Sequence, residues 1–164
     1  MEENLNRKLN QIILEVTQKC NLRCKYCIYG DENDKFRSFN ETKDMPLEVA
    51  LKSIDSILNR VDDEFYITFY GGEPLINFRL IKEVVEYVLS LKLNTKLNFS
   101  MTTNLTLMSK DIAKFIANTE NFSVVCSIDG DRLTHDEYRV DINGKGSFDR
   151  TLKGLEILYN ELKK

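Results

Sequence analysis

Four short β-type runs, each followed by a longer run at helical spacing, constrain this chain more than any other feature. QIILEVT at 11–17 is apolar and β-branched. From Pro46 to about Val61, apolar residues fall at Leu47, Ala50, Leu51, Ile54, Ile57, Leu58 and Val61, one face of a helix. FYITFY at 65–70 is a second strand, closed by Gly71-Gly72. Phe78, Ile81, Val84, Val85, Val88 and Leu89 return to the helical period, with Asn77 in the capping position. KLNFSMT at 96–102 reads as a third strand, and Ser109 then caps a short helix bearing Ile112, Phe115 and Ile116. NFSVVCSI at 121–128 is a fourth strand ended by Asp129-Gly130, and Ser147 begins a last helix through Phe148, Leu152, Leu155, Leu158 and Tyr159. Four β-loop-helix units in series predict an α/β fold with helices packed on a parallel sheet. Right-handed crossovers make it open or barrel-like.

At 164 residues this is one domain's worth of chain, and 42% hydrophobic with 30% charged residues is a globular composition. A net charge of −3 offers no basic surface to nucleic acid or an anionic membrane. No apolar run approaches the roughly 20 residues of a spanning helix. The start MEENLNRKLN is not a signal peptide. A cytoplasmic protein is expected. No repeat, linker or low-complexity segment interrupts the series. The loop from the cysteines to Met45 and that from Asp129 to Gly146 are too long for simple connections. Long loops after strand ends are where α/β folds carry their sites.

Three of the four cysteines fall within eight residues, as Cys20-x3-Cys24-x2-Cys27. Metal binding suits such a cluster better than disulfides in a reducing compartment. Cys126, inside FSVVCSI, reads as a small buried hydrophobe rather than a ligand. A four-iron cubane normally takes four thiolates, so three leave one iron open to a small ligand. A structural zinc site wants a fourth Cys or His, and Cys126 and the single histidine, His135, are remote in sequence. Zinc stays open on the cysteines alone.

The cysteine spacing, with Tyr26 just before the third cysteine, resembles the defining motif of the radical S-adenosylmethionine superfamily. Gly71-Gly72-Glu73-Pro74 resembles its Gly-Gly-Glu motif, which implies that this strand edge holds the cofactor's amino group. Glycines also permit close backbone approach and unusual dihedrals, and a plain strand-to-helix turn would use the same residues. Thr103-Asn104 resembles the family's turn near the ribose, although Asn in a loop is commonly a turn former. Ser127-Ile128-Asp129-Gly130 and His135-Asp136-x-x-Arg139 resemble the branch of peptide maturases and anaerobic sulfatase-maturating enzymes. There Ser127 and Arg139 match positions that contact the cofactor. Arg139 offers a planar fork for the methionine carboxylate and Ser127 a hydroxyl for the ribose; the lesser alternative for Arg139 is a solvated loop charge. His135 reads as a loop or capping residue.

The resemblance runs from about residue 11 to the end. ILEVTQKCNLRCKYCIYG and ITFYGGEPLINFRLIK are most similar to maturases of cysteine-rich peptides. It implies a partial (βα) barrel, a [4Fe–4S] cluster on Cys20, Cys24 and Cys27, and S-adenosylmethionine held by Tyr26, Gly71, Gly72, Glu73, Asn104, Ser127 and Arg139. No catalytic side chain is implied beyond the cluster ligands. The implied activity is reductive cleavage of S-adenosylmethionine to a 5′-deoxyadenosyl radical that modifies a peptide or protein side chain, for example by thioether formation. A reductant such as flavodoxin or ferredoxin would be a partner. The alternatives are an anaerobic sulfatase-maturating reaction or a non-catalytic iron–sulfur or zinc module. The family barrel has six βα units against four here, so residues 1–164 are expected to be a core domain shortened on its C-terminal side. Alone, such a piece is expected to be poorly soluble or dimeric and weakly active.

Overall fold

The computed structural model describes residues 7–29 and 43–164. Strand β1 is Leu9–Thr17, helix α1 Leu47–Asp55, β2 Val61–Gly71, α2 Phe78–Ser90, β3 Lys96–Thr103, α3 Lys110–Asn118, β4 Phe122–Cys126, α4 Arg132–Tyr138 and α5 Phe148–Leu162. Tight 3₁₀ turns occupy Leu58–Arg60 and Pro74–Asn77. All strand pairs are parallel, in the order β1-β2-β3-β4. Each strand pairs with its successor in sequence, so the winding never reverses as it does in a doubly wound sheet. The architecture is a partial (βα) barrel.

Strand alternation sorts side chains onto two faces. Leu14 and Val16, Phe65, Ile67 and Phe69, and Phe99 and Met101 face the helices. There they bury against Ala50 and Ile54 of α1, Ile81, Val84, Val85 and Val88 of α2, and Ala113 and Ile116 of α3. Each large side chain so buried contributes about 1.5–3 kcal/mol. Phe122 stacks at 6.2 Å from Phe69 and 6.1 Å from Phe99, joining β4 to this core. The opposite face is open and mixes polar side chains with exposed apolar ones. Gln11 Nε2 donates to Thr68 Oγ1 at 2.8 Å, Thr68 and Ser100 share a hydroxyl contact of 2.8 Å, and Ile13 is 60% exposed. Among the described residues no helix is long and apolar enough to cross a membrane.

Three local expectations need correction. The helix expected from Pro46 to Val61 stops at Asp55, because Val61 pairs with Leu9 and begins β2; sheet registration overrides the continuing apolar period. Asn77 does not cap α2, since its Nδ2 donates to the Val16 carbonyl at 2.9 Å. Ser147 does stand at the start of α5, where Asp136 Oδ1 accepts from Phe148 N at 2.8 Å. The loop after β4 contains α4, and His135 lies fully buried within it rather than in a loop or cap. Ser109 does cap α3, accepting from Ile112 N. Cys126 packs half-buried at the margin of the core. In the loop running from the cysteines to Met45, residues 30–42 lie outside the described ones.

Candidate cofactor site at the carboxyl ends of the strands

Parallel strands bring their carboxyl ends to one rim, and the loops leaving it meet around a cavity of about 300 Å³. The loop after β1 brings Cys20, Cys24, Tyr26 and Cys27; the end of β2 brings Gly71, Gly72 and Glu73. Asn104 follows β3, Ser127 follows β4, and Arg139 ends α4. Every site residue expected from sequence lines this one cavity. Thr103, of the Thr103-Asn104 turn, lines it too, as do Gln18, Tyr70 and Thr102, to which no site role was given.

The glycines have a mechanical reason. A Cβ on Gly71 would run into the Thr17 carbonyl, and one on Gly72 into that of Lys19. Gly71 also sits at φ +144°, a conformation that disfavours any side chain. With no Cβ in the way, Gly72 N donates to Thr17 O at 2.9 Å and Glu73 N to Lys19 O at 2.8 Å. The turn after β2 thus grips the backbone that leads into Cys20.

Glu73 is directed inward. Its Oε1 accepts from Thr103 Oγ1 at 2.6 Å and Leu75 N at 3.1 Å, and its Oε2 from Asn104 N at 2.7 Å. Burial pushes its carboxyl upward, and these donors oppose that push. Asn104 Nδ2 donates to Asn21 Oδ1 at 3.0 Å, while Asn21 Nδ2 donates to Thr106 Oγ1 at 2.7 Å. One carboxylate and two amides therefore link the ends of β2 and β3 to the cysteine loop.

The segment leaving α4 runs antiparallel to that loop, with Leu22 bridged to Asp141, Arg23 N donating to Val140 O at 2.6 Å and Lys25 N to Tyr138 O at 2.9 Å. Arg139 is thereby brought beside the cysteines, Nη1 4.0 Å from Cys24 Sγ and the guanidinium 5.5 Å from the Tyr26 ring centre. Its Nε donates to Asp129 Oδ2 at 2.9 Å. The Tyr26 hydroxyl donates to the same oxygen at 2.5 Å. Burial raises the Asp129 carboxyl, but the two donors outweigh it and hold the group below its ordinary value. Burial and the neighbouring carboxylate keep the Tyr26 phenol protonated. Asp129 read as half of an Asp-Gly turn in the sequence, so its part in the site was missed.

His135 sits beneath this pair. Ser147 Oγ donates to Arg139 O at 2.8 Å and lies 3.0 Å from His135 Nε2, while Asp129 N donates to His135 Nδ1 at 3.4 Å. The serine proton is already used, so Nε2 carries the imidazole hydrogen and Nδ1 accepts. Burial, helped by Arg139, lowers the His135 pKa and favours this neutral form.

All three cysteine thiols are free and half-buried. Burial pushes Cys20 up to about 11 and raises Cys24 as well, against the pull of Arg139. A metal or cluster binding here must displace thiol protons. Three thiolates on one tetrahedral zinc stand about 3.8 Å apart. Among the described residues no three Cys, His, Asp or Glu side chains are gathered to hold a lone ion in that way. A cluster distributes its thiolates over different irons, and three soft donors on one cavity wall, without a fourth, fit that requirement.

The model of the "Radical SAM superfamily" matches residues 14–164. An uncharacterised protein of Methanocaldococcus jannaschii is 39% identical over 154 residues, covering 93% of this chain and 50% of that protein. A cysteine-type anaerobic sulfatase-maturating enzyme of Clostridium novyi is 35% identical over 158 residues, 93% of this chain and 41% of the enzyme. Among solved structures, native anSMEcpe with bound AdoMet and Kp18Cys peptide superposes with a TM-score of 0.77 at 27% identity, over 93% of this chain and 40% of that one. The chain spans half or less of the length of these relatives.

Proposed function

We propose that this chain, which belongs to the radical S-adenosylmethionine superfamily, forms the cluster- and cofactor-binding part of an enzyme that modifies a side chain of a peptide or protein. Cys20, Cys24 and Cys27 would hold a [4Fe–4S] cluster. When bound, the reduced cluster and S-adenosylmethionine supply one-electron cleavage of the sulfonium carbon–sulfur bond and a hydrogen-abstracting 5′-deoxyadenosyl radical. The chain's own residues orient and shield. Arg139 would pair with the methionine carboxylate through its terminal amino groups, and Ser127 and Asn104 would face the ribose. Tyr26 covers the cluster side of the cavity. Gly71 and Gly72 hold the cysteine loop against the ledge where the cofactor's amino group would lie. Glu73, with its carboxylate already hydrogen-bonded internally, supports that ledge.

The observation that carries this reading is the convergence of four strand-end segments and the end of α4 on one cavity bearing three free thiols and an arginine. The peptide substrate is supported by relatives of the sulfatase-maturating kind and by the peptide bound in anSMEcpe. The electron donor would be a flavodoxin or ferredoxin. The test is anaerobic reconstitution with iron and sulfide, followed by reduction with S-adenosylmethionine present. The reading requires 5′-deoxyadenosine from the wild-type chain and none from Cys24→Ala. One equivalent of tightly held zinc, with no iron uptake, would replace it by a non-catalytic metal module.

A further inference from the structure

We propose that Asp129 is a positioning residue: it fixes the Arg139 guanidinium so that its terminal amino groups, rather than its Nε edge, meet the carboxylate of the cofactor. This deepens the reading above and rests on it. Arg139 has five N–H donors in a rigid plane. Asp129 Oδ2 takes the Nε hydrogen at 2.9 Å, and Nη1 lies 4.0 Å from Cys24 Sγ. Among the described residues Nη2 has no hydrogen-bond partner, and the side chain lines the cavity. Engaging Nε fixes the plane's rotation and leaves the outer edge for a ligand. The ion pair is no surface pair, since the two side chains are only 13% and 29% exposed.

Two further contacts give Asp129 its leverage. The Tyr26 hydroxyl, from between Cys24 and Cys27, donates to the same Oδ2. A single oxygen thus ties the cysteine loop to the arginine and sets their separation. Behind it, His135 receives the Asp129 amide on Nδ1 and reaches the Arg139 carbonyl through Ser147. The backbones of residues 129 and 139 are thereby held by one buried ring while their side chains pair in front of it. An arginine meant only to balance charge would need no such double fixation.

The test measures binding by equilibrium dialysis of two probes, S-adenosylmethionine and its decarboxylated form, to the anaerobically reconstituted full chain. Asp129→Asn keeps an acceptor but removes the charge that holds Nε. It should weaken S-adenosylmethionine binding about tenfold and change that of the decarboxylated probe less than about twofold. In an Arg139→Ala background the same substitution should have no further effect, because its partner is gone. Iron per chain should equal that of wild type. Asp129→Glu, which keeps the charge one methylene further out, is the second variant should the asparagine form not fold. It should show a smaller loss with the same preference between probes. An equal loss for both probes, no loss for either, or an undiminished loss in the Arg139→Ala background would overturn the assignment. A wild-type chain that holds its iron and binds neither probe would overturn the cofactor-site reading itself, and this inference with it.

Discussion

Gly72→Ala should uncouple the cysteine loop from the sheet. The new Cβ would meet the Lys19 carbonyl carbon and oxygen and the Gln18 carbonyl oxygen, all backbone atoms that no rotamer change can move. Overpacking of this kind costs about 1–3 kcal/mol. Relieving it by separation breaks Gly72 N to Thr17 O and Glu73 N to Lys19 O, each contributing about 1 kcal/mol. The combined cost of about 3–5 kcal/mol is a large share of the 5–15 kcal/mol that holds a domain of this size. Felt by the whole fold, it lowers Tm by roughly 6–20 °C. If the loop yields first, Tm falls less and Cys20 leaves its place. The assay is iron per chain after reconstitution together with Tm of the apo chain. Gly144→Ala is the control, at φ +74° with nothing within 4 Å of its Cβ. It should lose only about 1–2 kcal/mol, the cost of a left-handed alanine, and no iron. A Gly72→Ala chain with full iron and a Tm equal to that control would refute the reasoning.

Glu73→Gln turns one donor toward another donor in a buried carboxylate site, so urea unfolding should show a loss of about 1–3 kcal/mol. Equal stability would mean that the carboxyl is protonated. Asn21→Ala and Asn104→Ala should be strongly non-additive in a double-mutant cycle, with a coupling of about 0.5–3 kcal/mol, since Asn104 donates to Asn21 and both amides bond the Thr106 hydroxyl. Simple additivity would deny the link. His135 has a folded pKa below the ordinary 6.5 because it is buried neutral. The unfolded chain therefore takes up a proton first, and stability should fall as pH drops from about 6.5 to the folded pKa and stay flat above it. The slope is at most about 1.4 kcal/mol per pH unit. His135→Gln should remove this step from urea unfolding measured between pH 5 and 8, and a wild-type profile without it would contradict the burial argument.

The alternation of periods made the sheet and its helices legible, because β2 alternates inward and outward along FYITFY and α2 keeps one apolar face. The parallel order then predicted that all strand-end motifs share a rim. The local capping residues were less legible. Asn77 and Ser147 carry the right chemistry for caps, yet nearby carbonyls of Val16 and Arg139 captured their side chains. A sequence pattern cannot register such competition. His135 and Asp129 were hidden for a different reason. Helix α4 is only seven residues, its Leu133 is 82% exposed, and it leaves no periodic trace. The contact of Asp129 with Tyr26 spans 103 residues of sequence. It exists because 138–141 runs antiparallel to the cysteine loop, a pairing that no propensity encodes.

The motif residues direct most of their hydrogen bonds toward one another, and this changes how their mutants should be read. The cysteine loop is tied to β2 through Gly72 and Glu73 amides, β2 to β3 through the Glu73 carboxylate, and β3 back to the loop through Asn104 and Asn21. Ser127 N joins β4 to the Thr103 carbonyl, and Asp129 joins the far side to Tyr26. These links close a ring around the rim of a sheet that is itself open. In a closed ring, removing one link loosens its neighbours, so lost cofactor cleavage in a Glu73 or Asn104 variant follows from displacement as readily as from a lost ligand contact. A direct contact is identified only when the loss depends on one group of the ligand. By that criterion Arg139 should respond to removal of the cofactor's carboxylate, whereas Glu73, whose two oxygens already accept three protein donors, should respond to all ligand analogues alike.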